Sequence, residues 1–378
     1  MRALARDLPT SLIREIANEA MDRPGITALW FGETDQPTDP AIRAAAIDSL
    51  NEGETFYTPN LGLPALRAAI AEYQNRQFGA AMAAGNVVVT VSGLNAILLA
   101  LSAIVDPGDE VVVLTPGWPN LAAIPALLGA NVRLVPLDLA GDRFVLDPAR
   151  LVAALGPRTR AVIVNSPHNP TGWMIGADDL RTVADELDRR GIWLLMDEVY
   201  TRLTYGTPAA SALPLCDDRR RIIVVNSFSK TWAMTGWRLG WLTVPADCTV
   251  AFEKLMEFNT SCAPAFAQRA GLAALGNESF VAAQQTRLEA SRAAVIAVLG
   301  NDPRIVLPRL DATFYAFPRI AGLADGAAFA RRAIAEAGVG LAPGEAFGPE
   351  GRGHMRLCYA RDPIVVREAC ARLQGLLD

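Results

Sequence analysis

Of the 35 lysine and arginine residues only two are lysines, Lys230 and Lys254. A neutral lysine amine condenses with aldehydes and ketones, so carbonyl chemistry in this chain has two candidates. Lys230 closes the run Asn226-Ser227-Phe228-Ser229-Lys230, and Arg238 follows in Gly236-Trp237-Arg238-Leu239-Gly240. Two hydroxyls and a guanidinium can hold a phosphate. An amine taken out of water beside cations has a lowered pKa. Lys254 stands in Phe252-Glu253-Lys254-Leu255, has helical neighbours and no such cluster, and reads as a solvated helix lysine.

Three further places carry polar residues just after an apolar run. Asp197 ends Trp193-Leu194-Leu195-Met196-Asp197 and precedes Glu198-Val199-Tyr200. A carboxylate there is costly unless it meets a cation, either an arginine in a structural ion pair or a ligand. Asn165-Ser166-Pro167-His168-Asn169-Pro170-Thr171-Gly172 is a dense polar run. Turn chemistry accounts for its composition but not for its density, and His168 reads as a surface or supporting residue, outside the catalytic set. Ser92-Gly93-Leu94-Asn95-Ala96 reads as a helix cap, or as a helix start whose free N–H groups bind an anion.

These residues need a scaffold that brings strand ends together. Apolar β-rich runs at 87–91, 110–114, 132–136, 161–165, 192–196, 221–226 and 239–244 alternate with helical patterns. That alternation predicts an α/β fold with a largely parallel sheet of seven strands, covered on both faces. Such sheets bind ligands at the carboxyl ends of their strands. Beyond Pro264 the pattern becomes α+β, with a long helix over 279–299 and a closing helix over 363–377. We expect a large domain over 45–270 and a smaller one built from 1–44, as an N-terminal arm, and 271–378.

The composition excludes other classes. A chain of 378 residues with 51% hydrophobic and 20% charged residues can build a sizeable core. The net charge of −5 argues against a nucleic-acid partner. No run approaches the ~20 apolar residues of a membrane helix, since the stretch 95–105 stops at Asp106-Pro107-Gly108. Five cysteines without a C-x-x-C pair fit a reducing cytoplasm. His168 and His354 lie far apart, and no metal site is expected.

The motifs NSPHNPTG, DEVY and SFSKTWAMTGWRLG, in this order and spacing, resemble those of the class I/II aminotransferases, which are fold-type I pyridoxal-phosphate enzymes. The similarity extends through Tyr57-Thr58-Pro59-Asn60-Leu61-Gly62, Pro343-Gly344-Glu345-Ala346-Phe347-Gly348 and Met355-Arg356-Leu357-Cys358-Tyr359, nearly the whole chain. The resemblance implies that Lys230 forms the aldimine with pyridoxal 5'-phosphate and that Asp197 pairs with the pyridine nitrogen. Tyr200 and Asn169 match the pair that bonds the ring's phenolic oxygen. Ser227, Arg238 and the Gly93–Leu94 backbone match the phosphate site, and Trp118 matches the aromatic that stacks on the ring. Arg356 matches the arginine that binds the α-carboxylate, with Gly32 and Asn169 on the substrate side. Tyr57 matches a tyrosine that reaches the other subunit's phosphate, which implies a homodimer. Ser92-Gly93-Leu94 departs from relatives that place hydroxyls there, so Leu94 offers only its backbone.

The expected reaction is transfer of an amino group from an L-amino acid, monocarboxylic with a neutral or aromatic side chain, to a 2-oxo acid. The alternative is another reaction of the same cofactor, a β-lyase or an epimerase. A nicotinamide enzyme is disfavoured, for no G-x-G-x-x-G stands at a strand–helix junction.

Overall fold

Valine-rich runs form the centre of the molecule because they are covered, all but the edge strand at 131–136 and Arg160. The computed structural model describes residues 1, 6, 8, 10–216 and 220–377. Its main strands are β1 (Val87–Thr90), β2 (Glu110–Thr115), β3 (Asn131–Pro136), β4 (Thr159–Asn165), β5 (Trp193–Asp197), β6 (Ile222–Ser227) and β7 (Gly240–Thr243). They form one sheet in the order β1-β7-β6-β5-β4-β2-β3. β7 runs antiparallel to β1 and β6, and every other pairing is parallel. All seven expected strands are present, with ends shifted by at most two residues.

Successive strand residues point to opposite faces, and here both faces are packed. Val112, Leu114, Val162, Val164, Leu194 and Met196 meet Leu180, Val183 and Leu187 of the helix Ala177–Arg190. Val111, Val113, Ala161, Ile163 and Leu195 meet Ile97 and Leu101 of the helix Gly93–Ile104 and Phe252 and Met256 of the helix Thr249–Asn259. A sheet buried on two sides needs continuous apolar runs rather than alternation.

A second core joins the two ends of the chain. Ile16, Ala17, Leu29 and Trp30 pack with Val295, Phe314, Val339, Leu357 and Val366. Short pairings stitch it: Thr27–Ala28 with Val339–Gly340, and Met355–Cys358 between Tyr315–Ala316 and Ala342–Pro343. The helix Glu278–Leu299 enters both cores, with Val281 beside Trp232 and Trp241 and with Leu288 and Val295 in the second. We propose that the large body and this second core are the two domains. The expected limits at 45 and 270 fall inside the helices Pro40–Asn51 and Ala265–Leu275, both packed on the large body. The proposed seams therefore lie at Pro40 and Asn277.

A hairpin of Asp138–Ala140 and Arg143–Val145 was absent from the expected elements. Its turn is Gly141-Asp142, with Gly141 at φ 65°, a hairpin signal in short form.

Gly240 shows how closely the strand ends crowd. A Cβ there would meet Gly93 N and Ser92 C at 2.7 Å and Asn226 O at 2.8 Å. Gly240→Ala must push the start of the helix Gly93–Ile104 off β7. We expect a loss of about 2 kcal/mol, read as a lower midpoint in urea with an unchanged slope.

Candidate active site

The carboxyl ends of β1, β4, β5 and β6 open on a cavity of about 470 Å³, closed on its far side by the second core and the N-terminal arm. One corner is built for an anion. The helix Gly93–Ile104 starts there, and first-turn N–H groups have no acceptor within the helix. Ser92 Oγ takes the Asn95 N–H at 3.0 Å, which leaves those of Gly93 and Leu94. Across from them β6 ends at Ser227, whose hydroxyl donates to Ser229 Oγ at 2.9 Å and accepts the Ser229 N–H at 3.1 Å. Arg238 completes the corner from a left-handed backbone, φ 53° and ψ 58°. A non-glycine residue held there is strained. The same bend lets Arg238 Nη1 donate to the Thr235 carbonyl at 2.6 Å.

Asp197 ends β5 in the cavity wall with 2% of its surface exposed. The Val199 N–H reaches its Oδ1 at 3.5 Å, and among the described residues it has no ion pair. The structural arginine that the sequence left open is therefore not present among them. Burial pushes its carboxyl up to about 7, against the pull of the Val199 N–H and the Lys230 charge. The polar loop after β4 is tied to the same strand end. Asn165 Nδ2 and the Ser166 N–H both donate to the Asp197 carbonyl at 3.0 Å, and Asn165 Oδ1 accepts the Asn169 N–H at 2.8 Å. His168 is buried behind this loop, off the cavity, with Nδ1 2.8 Å from Thr171 Oγ1. Burial drives it down to about 3, so it stays neutral.

Lys230 Nζ donates to the Gly32 carbonyl at 2.7 Å. Removal from water lowers its pKa to about 8; Cys358 and Glu33 oppose this, while Arg356 and Arg238 add to it. A Cβ on Gly32 would run into the Tyr315 hydroxyl, so this close approach needs glycine. Tyr200 and Tyr315 share a hydrogen bond of 2.9 Å between their hydroxyls, and burial holds the Tyr200 phenol well above its ordinary value.

Arg356 comes from the strand Met355–Cys358 and is 3% exposed. Its Nη1 donates to Asn169 Oδ1 at 3.1 Å and its Nη2 to the Trp30 carbonyl. Its guanidinium carbon lies 4.6 Å from the Tyr315 ring centre and 4.8 Å from that of Phe347. Its buried Nε has no hydrogen-bond partner among the described residues.

Of the twelve residues expected from the sequence, eleven line this one cavity, Trp118 among them. Tyr57 does not, and its ring is 90% exposed. Tyr315, Phe31, Ile13 and Arg14 also line the cavity and were not anticipated. Tyr315 lies in the α+β stretch beyond Pro264 and residues 11–14 in the N-terminal arm, where no chemistry-bearing motif marks them. Among the described residues no three His, Cys, Asp or Glu side chains are grouped as metal ligands, and no helix is long and apolar enough to cross a membrane.

The sequence model of the family described as aminotransferase class I and II matches residues 25–373. The chain belongs to this family. The aminotransferase is 33% identical over 373 residues to the aspartate aminotransferase of Pyrococcus horikoshii, covering 97% of this chain and 95% of that one. It is 34% identical over 373 residues to the aromatic-amino-acid aminotransferase 2 of Thermococcus litoralis, with the same coverage. Among solved structures, a Thermus thermophilus aspartate aminotransferase mutant superposes with a TM-score of 0.92 at 31% identity, covering 100% of this aminotransferase and 99% of that chain. The fold is that of the aspartate-aminotransferase-like, fold-type I α/β proteins, and the protein is an enzyme of amino-group transfer.

Proposed function

We propose that this aminotransferase works with pyridoxal 5'-phosphate linked to Lys230 and moves an amino group from an L-amino acid to a 2-oxo acid. The observation that carries the reading is a set of three unmatched groups around one amine. Among the described residues the helix start has first-turn N–H groups without an acceptor in the helix, buried Asp197 has no ion pair, and Arg356 keeps a buried N–H without an acceptor. Pyridoxal phosphate, with its phosphate and basic ring nitrogen, and an α-carboxylate match the three in kind, so the residues fit the group.

Bound there, the cofactor supplies an aldehyde for the Lys230 amine and a ring that accepts electrons from the substrate's Cα. The Gly93 and Leu94 N–H groups, Ser227 and Arg238 hold the phosphate. Asp197 would pair with the cofactor's ring nitrogen and hold a proton there. Tyr200 and Asn169 would donate to its phenolic oxygen, and Trp118 would offer an apolar surface to its ring. Lys230, whose lowered pKa leaves a large neutral fraction near pH 8, would take the proton from the substrate's Cα. Arg356 clamps the α-carboxylate and orients the Cα–H bond.

The apolar wall of Ile13, Phe31, Ile97 and Trp118 supports neutral and aromatic donors. A single half-reaction tests the function: each amino acid is added without an acceptor, and the bound aldehyde is followed by its absorbance. Stoichiometric conversion to the amine form with release of a 2-oxo acid supports transamination. Ammonia release or racemisation without that conversion supports a lyase or an epimerase.

Arg356→Ala leaves a carboxylate unpaired in a buried site. Hydrogen bonds between charged groups contribute about 1.5–3 kcal/mol, so KM for every donor should rise at least about tenfold. Arg356→Lys should recover part of this, and equal KM values in parent and alanine variant would remove the role.

We also propose a homodimer. Phe56, Tyr57 and Phe258 are 84%, 90% and 90% exposed in the isolated chain, which supports a covering partner. Sedimentation should give twice the chain mass, and a fully active monomer would refute it. A cytoplasmic setting is part of the same reading, supported by a set of five cysteines without a C-x-x-C pair.

A further inference from the structure

One cation of the cavity has no task in the reaction proposed above. Arg14, Lys230, Arg238 and Arg356 line it, whereas Asp197 is its only carboxylate among the described residues. In the proposed reading, on which this inference rests, Arg238 faces the phosphate, Arg356 the α-carboxylate and Lys230 the aldehyde. Arg14 is left over.

Its placement is specific. Arg14 belongs to the helix Leu12–Asn18, which straddles the two bodies: Ile13 packs with the large body and Ile16 and Ala17 with the second core. The guanidinium carbon lies 4.4 Å from the centre of the Phe31 ring, and among the described residues no carboxylate pairs with it. Phe31 stands between two residues whose carbonyls hold the other cations. Trp30 O accepts from Arg356 and Gly32 O accepts from Lys230 at 2.7 Å. Three consecutive residues thus touch three cations: the arginine proposed for the carboxylate, the reactive amine and Arg14.

We propose that Arg14 is a specificity-determining residue that binds a second anionic group, carried at the far end of the substrate's side chain. The site then takes amino acids with an acidic side chain as well as neutral and aromatic ones. The chemistry suits a planar guanidinium. Its fork matches the two oxygens of a carboxylate or phosphonate, and stacking on Phe31 fixes its plane without using its N–H donors. Its methylene stem and the neighbouring Ile13 and Phe31 offer apolar surface to a side chain without charge. Arg14 is solvent-exposed, so the pair it forms is partly screened.

The test uses unreactive carboxylic acids on the cofactor-loaded enzyme. Calorimetry compares succinate, with two carboxylates, 3-phosphonopropionate, with a phosphonate at its far end, and butyrate, with neither. Succinate or 3-phosphonopropionate should bind about tenfold more tightly than butyrate, and which of them leads identifies the anion. Arg14→Met keeps the stem and removes the charge, and the ratio should fall to near one. Arg14→Lys should keep part of it. Equal binding of all three acids by the parent, or a ratio that survives in Arg14→Met, overturns the proposal. Fixation of the cofactor to Lys230 by borohydride is measured on the same samples. Its failure would count against the reaction proposed above and not against Arg14.

Discussion

Lys230→Ala should end covalent capture of the cofactor and lower the half-reaction by at least about 10³-fold. Two losses combine: the amine that condenses with the aldehyde and the base that takes the Cα proton, itself worth 10²–10⁴. The chain is well suited to this experiment because Lys254, exposed on the helix Thr249–Asn259, is the only other lysine. Borohydride reduction followed by peptide mass mapping should place the label on Lys230 in the parent and nowhere in the variant. Capture needs the neutral amine. With a pKa lowered to about 8, the capture rate should climb as pH rises through 8 and level off above it. Label on Lys254, or a capture rate flat from pH 6 to 10, would sink the assignment.

Asp197→Asn should separate stability from turnover. Burial raises the carboxyl from its ordinary 3.8 to about 7. In the unfolded chain the group ionises near its ordinary value, while in the fold it keeps its proton longer. The fold therefore loses stability as pH climbs from about 4 to about 7, by roughly 4 kcal/mol at most. The amide carries no such cost. The cofactor-free variant should melt higher than the parent at pH 8 and alike at pH 4. Turnover should move the other way, by about 10²-fold or more, because the amide cannot hold a proton on the ring nitrogen. A variant with parental turnover, or one no more stable than the parent at pH 8, contradicts the role.

The sheet was legible because its inner strands are buried on both faces, which forces unbroken runs such as 111–114 and 161–164. Gly93, Leu94, Asn169, Asp197, Tyr200, Ser227, Lys230 and Arg238 were legible because a polar cluster straight after such a run sits at a strand end, whereas Gly32, Trp118 and Arg356 were reached only through the family resemblance. The seams proposed at Pro40 and Asn277 rest on packing alone, since Pro40 starts one helix and Asn277 caps the helix Glu278–Leu299 within continuous sequence. Arg14, Phe31 and Tyr315 escaped notice because their role depends on contacts between distant short segments. Nothing near Arg14 in the sequence states that Phe31 will lie beneath it, or that Tyr315 will meet Tyr200.

The helix Glu278–Leu299 is 22 residues long, or roughly 33 Å at 1.5 Å per residue. Val281 is rooted beside Trp232 and Trp241, and Leu288, Val295 and Leu299 are rooted beside Phe314 and Val366. Melting either body strips apolar cover from the same rod and weakens its hold on the other. The two cores are thereby made thermally interdependent, although the chain passes between them more than once. Since the cavity is walled by both, its shape persists only while that shared rod stays docked at each end.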